Sequence, residues 1–243
     1  VLGMGLPVTA AYIIMAILCA PALAGILADT MIVEQLMVGL TDPAQAAMFM
    51  LVESPYAAKV MDGMSLDEAT ALMSAVPFEV AMTMRPMLVD AEALMSFLLV
   101  AHLIIFWLSQ DSNVTPPVCL AAFTAAGIAK SPPMATGFQA WKAAKGLYVV
   151  PLLFAYTPLV TGTFVEMCQI GFFALFGIYG MNAIIARFSE GPLALWHWPL
   201  LVVGSALCFL PLDLMSNIVG AISVCVVAVL THRHNQSLSV AQL

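Results

Sequence analysis

The sequence predicts an all-α polytopic membrane protein. Three observations carry that prediction. Hydrophobic residues make up 63% of the 243 positions and charged residues 9%, with a mean hydropathy of +1.02, far above that of soluble domains. Apolar runs of spanning length recur at 148–164, 168–186, 192–212 and 217–230, behind a fifth, interrupted run over 94–129. The interruption itself, Asn113-Val114-Thr115-Pro116-Pro117, removes two amide donors and pushes Thr115 out of the α region. At membrane depth such a break costs several kcal/mol unless protein, water or an ion compensates, so it marks a place where carbonyls and helix ends face a ligand.

The elements follow in order. Residues 1–28 open with Gly3-Met4-Gly5-Leu6-Pro7-Val8-Thr9 before a helical run over 10–27. Gly3 and Gly5 permit close backbone approach, and Pro7 suits a first helical turn. No charged leader or cleavage site precedes them, and the expectation is the C-terminal portion of a longer protein.

Residues 29–92 differ in character. They hold ten of the fourteen acidic residues and only Lys59 and Arg85 as bases. Thr41-Asp42-Pro43 offers a cap followed by Pro at the first helical position, and Ser65-Leu66-Asp67-Glu68 has capping-box spacing. Apolar runs here are too short to span, so two or three amphipathic helices outside the bilayer or at its interface are expected. Three roles stay open: a solvated elaboration, a docking surface for an extracytoplasmic protein, or a partly re-entrant segment.

Residues 93–146 form the discontinuous helix and a basic loop, 147–231 four further transmembrane helices, and 232–243 a tail. Lys130, Lys142 and Lys145 lie after the broken helix, Arg187 two spans later and Arg233 two spans after that, whereas the alternate loops carry Glu166 and Asp213. The positive-inside rule makes the 130–146 loop and the C-terminus cytoplasmic. The broken helix then runs inward from the outer face, and the acidic region lies outside.

Polar groups within the apolar runs are the candidate site. Ser112, Asn113 and Thr115 supply hydroxyl and amide oxygens beside freed carbonyls, a neutral hard-oxygen set suited to an alkali cation. Asp111 either adds a charge there or caps the half-helix that follows. His102 is an ionisable group in an apolar stretch, which is a functional candidate, although a neutral His bonded to a neighbouring helix is the commoner finding. His197 between Trp196 and Trp198 reads as an interfacial anchor, Asp213 as a turn residue, and Gly171, Gly177 and Gly180 as helix-packing positions. The five cysteines are dispersed without a C-x-x-C pair and the four histidines without clustered ligands, which gives no metal or disulfide signal. With no Ser-His-Asp set, paired carboxylates or phosphate loop, the sequence reads as a non-enzyme without cofactor. Seven basic residues against fourteen acidic ones argue against nucleic acid as a partner.

Several strings resemble the large membrane subunit of a tripartite ATP-independent periplasmic (TRAP) transporter, of the fused type that works with TAXI-class solute receptors. They are Gly3-Met4-Gly5-Leu6-Pro7-Val8-Thr9-Ala10-Ala11-Tyr12, Ala101-His102-Leu103, Asn113-Val114-Thr115-Pro116-Pro117-Val118-Cys119-Leu120-Ala121-Ala122-Phe123, Gly137-Phe138-x-Ala140, and Val150-Pro151-Leu152-Leu153-Phe154-Ala155-Tyr156-Thr157-Pro158. The remainder matches only in its hydrophobic character. The resemblance implies half of an elevator-type transporter with a re-entrant hairpin and a discontinuous helix. It implies sodium-coupled import of an organic anion across a bacterial cell inner membrane, the solute being delivered by a TAXI-type periplasmic solute-binding protein. Gly3, Gly5, Pro7 and Thr9 would line the hairpin tip. Asn113, Val114, Thr115 and Pro116 would face it, with Ser112 beside them and Na+ held at Asn113 and Thr115. The first inverted repeat and small-subunit-like helices would come from the rest of the permease. The acidic stretch interrupts the family pattern, and its role is not carried over. Rival readings are a non-transporting scaffold with an acidic interaction module, and an ion channel.

Overall fold

The computed structural model of the chain describes residues 6–210 and 213–240, with side-chain surroundings through 236. The elements are α1 (Val8–Val38), α2 (Pro43–Phe49), α3 (Leu66–Ala75), α4 (Phe78–Leu88), α5 (Ala91–Ser109), α6 (Leu120–Ala129), α7 (Pro133–Ala143), α8 (Gly146–Tyr156), α9 (Phe164–Ala186), α10 (His197–Phe209) and α11 (Leu214–Val240), with 3-10 turns at Ala57–Lys59 and Gln110–Asn113. The described residues contain helices and no strand, apart from an isolated bridge between Phe188 and Pro192.

Four stretches are long and apolar enough to cross a membrane: Val8–Val38, Ala91–Asn113, Phe164–Ala186 and Leu214–Gln236. They leave large apolar side chains exposed, among them Ile17, Leu18, Leu175, Met215 and Ile222. Water would penalise such faces and lipid tails would not. The protein is therefore an all-α membrane protein.

Two of the expected spans are shorter than hydropathy suggests. Within 148–164 the helix stops at Tyr156, because Thr157 precedes Pro158 and is extended (φ −133°, ψ 157°). The 11 residues of α8 reach roughly 16 Å at 1.5 Å per residue, about half the hydrocarbon thickness. Within 192–212 the helix begins only at His197 and ends before Leu210 (φ −74°, ψ 139°), the residue preceding Pro211. Both stops follow from the clash of a proline ring with the residue before it.

The chain divides into two compact units, Ile14–His102 and the remaining described residues. In the first, α1 runs without a break past residue 28 to Val38. Its Ile32 and Leu36 are fully buried with Phe49, Val60 and Leu72 in one core. The local signals read from the sequence are formed. Asp42 accepts from the Ala44 amide at 2.8 Å with Pro43 next to it, and Ser65 and Glu68 make a reciprocal capping box. Gly39 (φ +98°) and Gly63 (φ +80°) close the far end of α1 on the loop before α3. A Cβ at Gly39 would stand 2.6 Å from the Met61 carbonyl oxygen, so both the backbone angle and the space require glycine. Asp29 and Arg85 pair through two hydrogen bonds of 2.8 and 2.9 Å.

In the second unit α9, α10 and α11 form an up-down-up bundle. Leu201, Val224 and Val227 are fully buried in it. Gly177 meets the Phe209 ring, and Gly180 meets Ser205 and Val224. Gly204 and Gly220 bring their backbones together, a Cβ on Gly220 falling 2.7 Å from the Gly204 carbonyl oxygen. Small residues permitting such approach are the usual device of helix association in lipid. Gly171 is looser, with only Leu159 near, at 3.9 Å. His197 is buried, not an interfacial anchor: its Nδ1 accepts from the Ala194 amide at 3.0 Å. Trp196, stacked on its ring, is the exposed member.

Candidate functional site

The broken helix is present, and its break follows a full span. The stretch Ala91–Asn113 is 23 residues long, roughly 34 Å at 1.5 Å per residue, so the interruption lies at one end of a spanning helix and does not bisect it. The α ladder of α5 tightens into the 3-10 turn at Gln110–Asn113. Val114 and Thr115 both donate their amides to the Asp111 carbonyl, at 3.1 and 3.0 Å. The Pro116–Pro117 peptide is cis, and α6 starts after Cys119, which is fully buried.

Asp111 is the organising group. Its Oδ1 accepts the Thr115 hydroxyl and the Tyr148 hydroxyl at 2.5 Å. The indole Nε1 of Trp141 donates in turn to the Tyr148 oxygen at 3.2 Å. The Lys145 ammonium lies 3.0 Å from the centroid of the Trp141 ring and 5.3 Å from that of Tyr148, a cation–π arrangement. Burial pulls the Lys145 pKa down, against the opposing pull of the Asp111 carboxylate. Four elements thus converge: the 3-10 turn, the start of the break, the end of α7 and the start of α8. Two further contacts hold them. Trp107 on α5 meets Phe154 on α8 edge-on, with centroids 5.9 Å apart. Gly137 on α7 lies against Cys119 and Pro116, where a Cβ would stand 2.6 Å from the Cys119 Sγ.

Other candidates are distributed as follows. Ser112 is buried and donates to the Ser109 carbonyl at 3.0 Å, while Ser109 donates to that of Ile105 at 2.7 Å. These bonds occupy the hydroxyl protons with α5 backbone and leave the oxygens as acceptors. Asn113, Val114 and Pro116 are half-buried along the turn. Gly3 and Gly5 lie outside the described residues. Pro7 and Thr9 are exposed, and what their segment brings toward the break is Tyr12, edge-on to Phe106 on α5 with centroids 5.8 Å apart. His102 is half-buried one turn before Phe106.

Sequence reasoning missed Tyr148 and Trp141 and took Lys145 only as a charge. The available signal was spacing: Trp141, Lys145 and Tyr148 are four and three residues apart, a helical-face pattern.

As a donor set, one carboxylate, the Thr115 and Ser112 hydroxyl oxygens and the Asn113 amide are hard oxygens of the kind alkali cations accept. Lys145 is the competing positive charge, kept on the aromatic rings and off Asp111. Among the described residues no group of three His, Cys, Asp or Glu side chains is arranged to hold a metal ion. Comparison of the chain with protein-family models, with curated proteins and with solved structures found no match.

Proposed function

We propose that this chain is part of the membrane permease of a tripartite ATP-independent periplasmic transporter. It imports an organic anion, delivered by a TAXI-type periplasmic receptor, with sodium as the coupling ion. It sits in a bacterial inner membrane with its C-terminus in the cytoplasm. One observation supports this above the rest. A proline-broken helix brings the Thr115 and Tyr148 hydroxyls onto the Asp111 carboxylate in a chain whose long helices are otherwise apolar. Polar groups and interrupted backbone in such a setting are kept for ligands and ions. The strings that resemble the permease family point the same way. In an elevator-type arrangement this cluster would be one half of the site, and the first inverted repeat would supply the other.

The test is flux. The complete permease in proteoliposomes, given its receptor and an inward sodium gradient, is expected to accumulate solute. It is expected to lose sodium dependence in Thr115→Val and Asn113→Ala without losing membrane insertion. Unchanged sodium dependence in both variants defeats the sodium assignment.

One observation favours a second reading, a non-transporting scaffold: residues 29–92, with their excess of acids, share in a core of their own around Ile32, Phe49 and Leu72. Capture of a soluble partner without any solute flux would support it, and non-saturating flux without sodium coupling would support a channel.

A further inference from the structure

The exposed apolar seam between α9 and α11 has a polar end. The two helices run parallel: Gly180 lies against Val224, Ala183 packs with Val227, and Gly191 beyond α9 meets Thr231. Two grooves follow this seam. One, of about 490 Å³, is lined only by apolar side chains and Cys225, from Phe172 and Ile218 up to Leu230. The other, of about 400 Å³, shares Phe172, Phe176 and Cys225 with it and ends at Tyr179 and Glu190. From Ile218 to Leu230 the seam is roughly 18 Å long at 1.5 Å per residue, close to the half-thickness of a bilayer core of about 30 Å. Its polar end stands where α9 finishes and the chain turns, the border at which a lipid head is expected.

The chemistry of that end selects the head. Tyr179 shares a 2.9 Å hydrogen bond with Ser189 and donates to the Glu190 Oε1 at 3.2 Å. Glu190 Oε2 is 4.0 Å from His232 Nδ1, and the Glu190 side chain remains 52% exposed. A carboxylate beside hydroxyl oxygens attracts a cationic N–H donor and repels an anionic head. A primary ammonium supplies three such protons, whereas a trimethylammonium supplies none.

We propose that the α9–α11 seam holds one phospholipid with a primary ammonium head, its acyl chain along Phe172, Phe176 and Cys225 and its ammonium at Glu190.

Native mass spectrometry of the chain in detergent tests this, using dioleoyl lipids that differ only in the head: phosphoethanolamine, phosphocholine and phosphoglycerol. Ethanolamine lipid is expected to be retained about tenfold over the other two, the scale of one charge-assisted contact. Glu190→Gln is expected to abolish the preference while leaving chain-dependent retention, and Cys225→Trp, which puts a bulky ring into the lining that both grooves share, to lower retention of all three. Equal retention of the three heads by the wild-type chain overturns the proposal, as does a preference that survives Glu190→Gln. Should Glu190→Gln lose its helical circular dichroism, stepwise N-methylation of the head on the wild-type chain decides. A graded loss is expected, and a flat response overturns the assignment. A Cys225–Cys225 crosslink between two copies that excludes lipid also overturns it.

Discussion

Tyr148 donates its hydroxyl to Asp111 at 2.5 Å across 37 residues of chain, tying the start of α8 to the turn that follows α5. Tyr148→Phe removes that donor and leaves the ring in place over Lys145. Because the bond is to a carboxylate but partly exposed, its loss is expected to cost roughly 1 kcal/mol of stability. Thermal unfolding in detergent measures this. On the function proposed above, the same substitution is expected to lower sodium-dependent uptake with solute binding to the receptor untouched.

Asp111→Asn keeps an oxygen and discards the charge. The Thr115 and Tyr148 hydroxyls then donate to an amide oxygen, a weaker pairing by about half. On the function proposed above, the expected result is near-normal insertion with sodium-dependent uptake reduced at least tenfold. Uptake at the wild-type level would show that the carboxylate serves only to shape the turn.

The Asp29–Arg85 pair is bidentate, and its side chains are only 30% and 16% exposed. The carboxylate beside it holds the Arg85 pKa above its ordinary value. Asp29→Ala leaves a mostly buried guanidinium without its partner and is expected to destabilise the Ile14–His102 unit by roughly 2–4 kcal/mol. Replacing both residues by Met at once is expected to recover most of that loss. Hydrogen exchange along α1 and α4 reads both outcomes.

Lys59 and Glu68 make an exposed ion pair of 2.6 Å. The hydrogen bond from Lys59, with that from the Ser65 amide, holds the Glu68 pKa below its ordinary 4.5, and Glu68 holds Lys59 above its ordinary 10.5. The sign follows for each partner. The Glu68 contribution is whole above pH 4.5 and is lost as pH falls through the lowered folded value. The Lys59 contribution is whole below pH 10.5 and is lost as pH rises through the raised one. NMR titration of Glu68 is expected to show a higher midpoint in Lys59→Met than in the wild type.

Glycine substitutions separate packing from conformation. Gly220→Leu is expected to disrupt the α10–α11 contact, because a Cβ there falls 2.7 Å from a backbone oxygen. Gly127 lies inside α6 with nothing within 4 Å of a Cβ, so Gly127→Ala is expected to stabilise by roughly 0.5–1 kcal/mol. Paired melting curves check both.

Features governed by short-range chemistry were legible in the sequence. The caps at Asp42 and Ser65 depend on neighbours two or three residues away, and the break at Thr115 on the next residue. The end of α8 at Thr157 and of α10 at Leu210 was present in the sequence as Pro158 and Pro211, but a hydropathy run is blind to proline's restriction of its predecessor. The Asp111 cluster was half legible. Thr115 lies one turn away on the same segment, while Tyr148 arrives through the α6–α7 hairpin, a placement set by the packing of Gly137 on Cys119 and Pro116. The Thr163–Glu166 capping box of α9 follows the same local rule as Ser65–Glu68, and it lies ahead of the apolar run that begins at Cys168.

The abutment of Gly204 on Gly220 has a mechanical consequence. Two backbones in van der Waals register have no side chains between them to act as lubricant, so α10 and α11 cannot slip past one another without a Cα striking a carbonyl. The pair is expected to move as one rigid plank. Bending must then be taken up outside that pair, and the non-helical connection from Arg187 to Trp196, which leads directly into α10, is the adjoining joint.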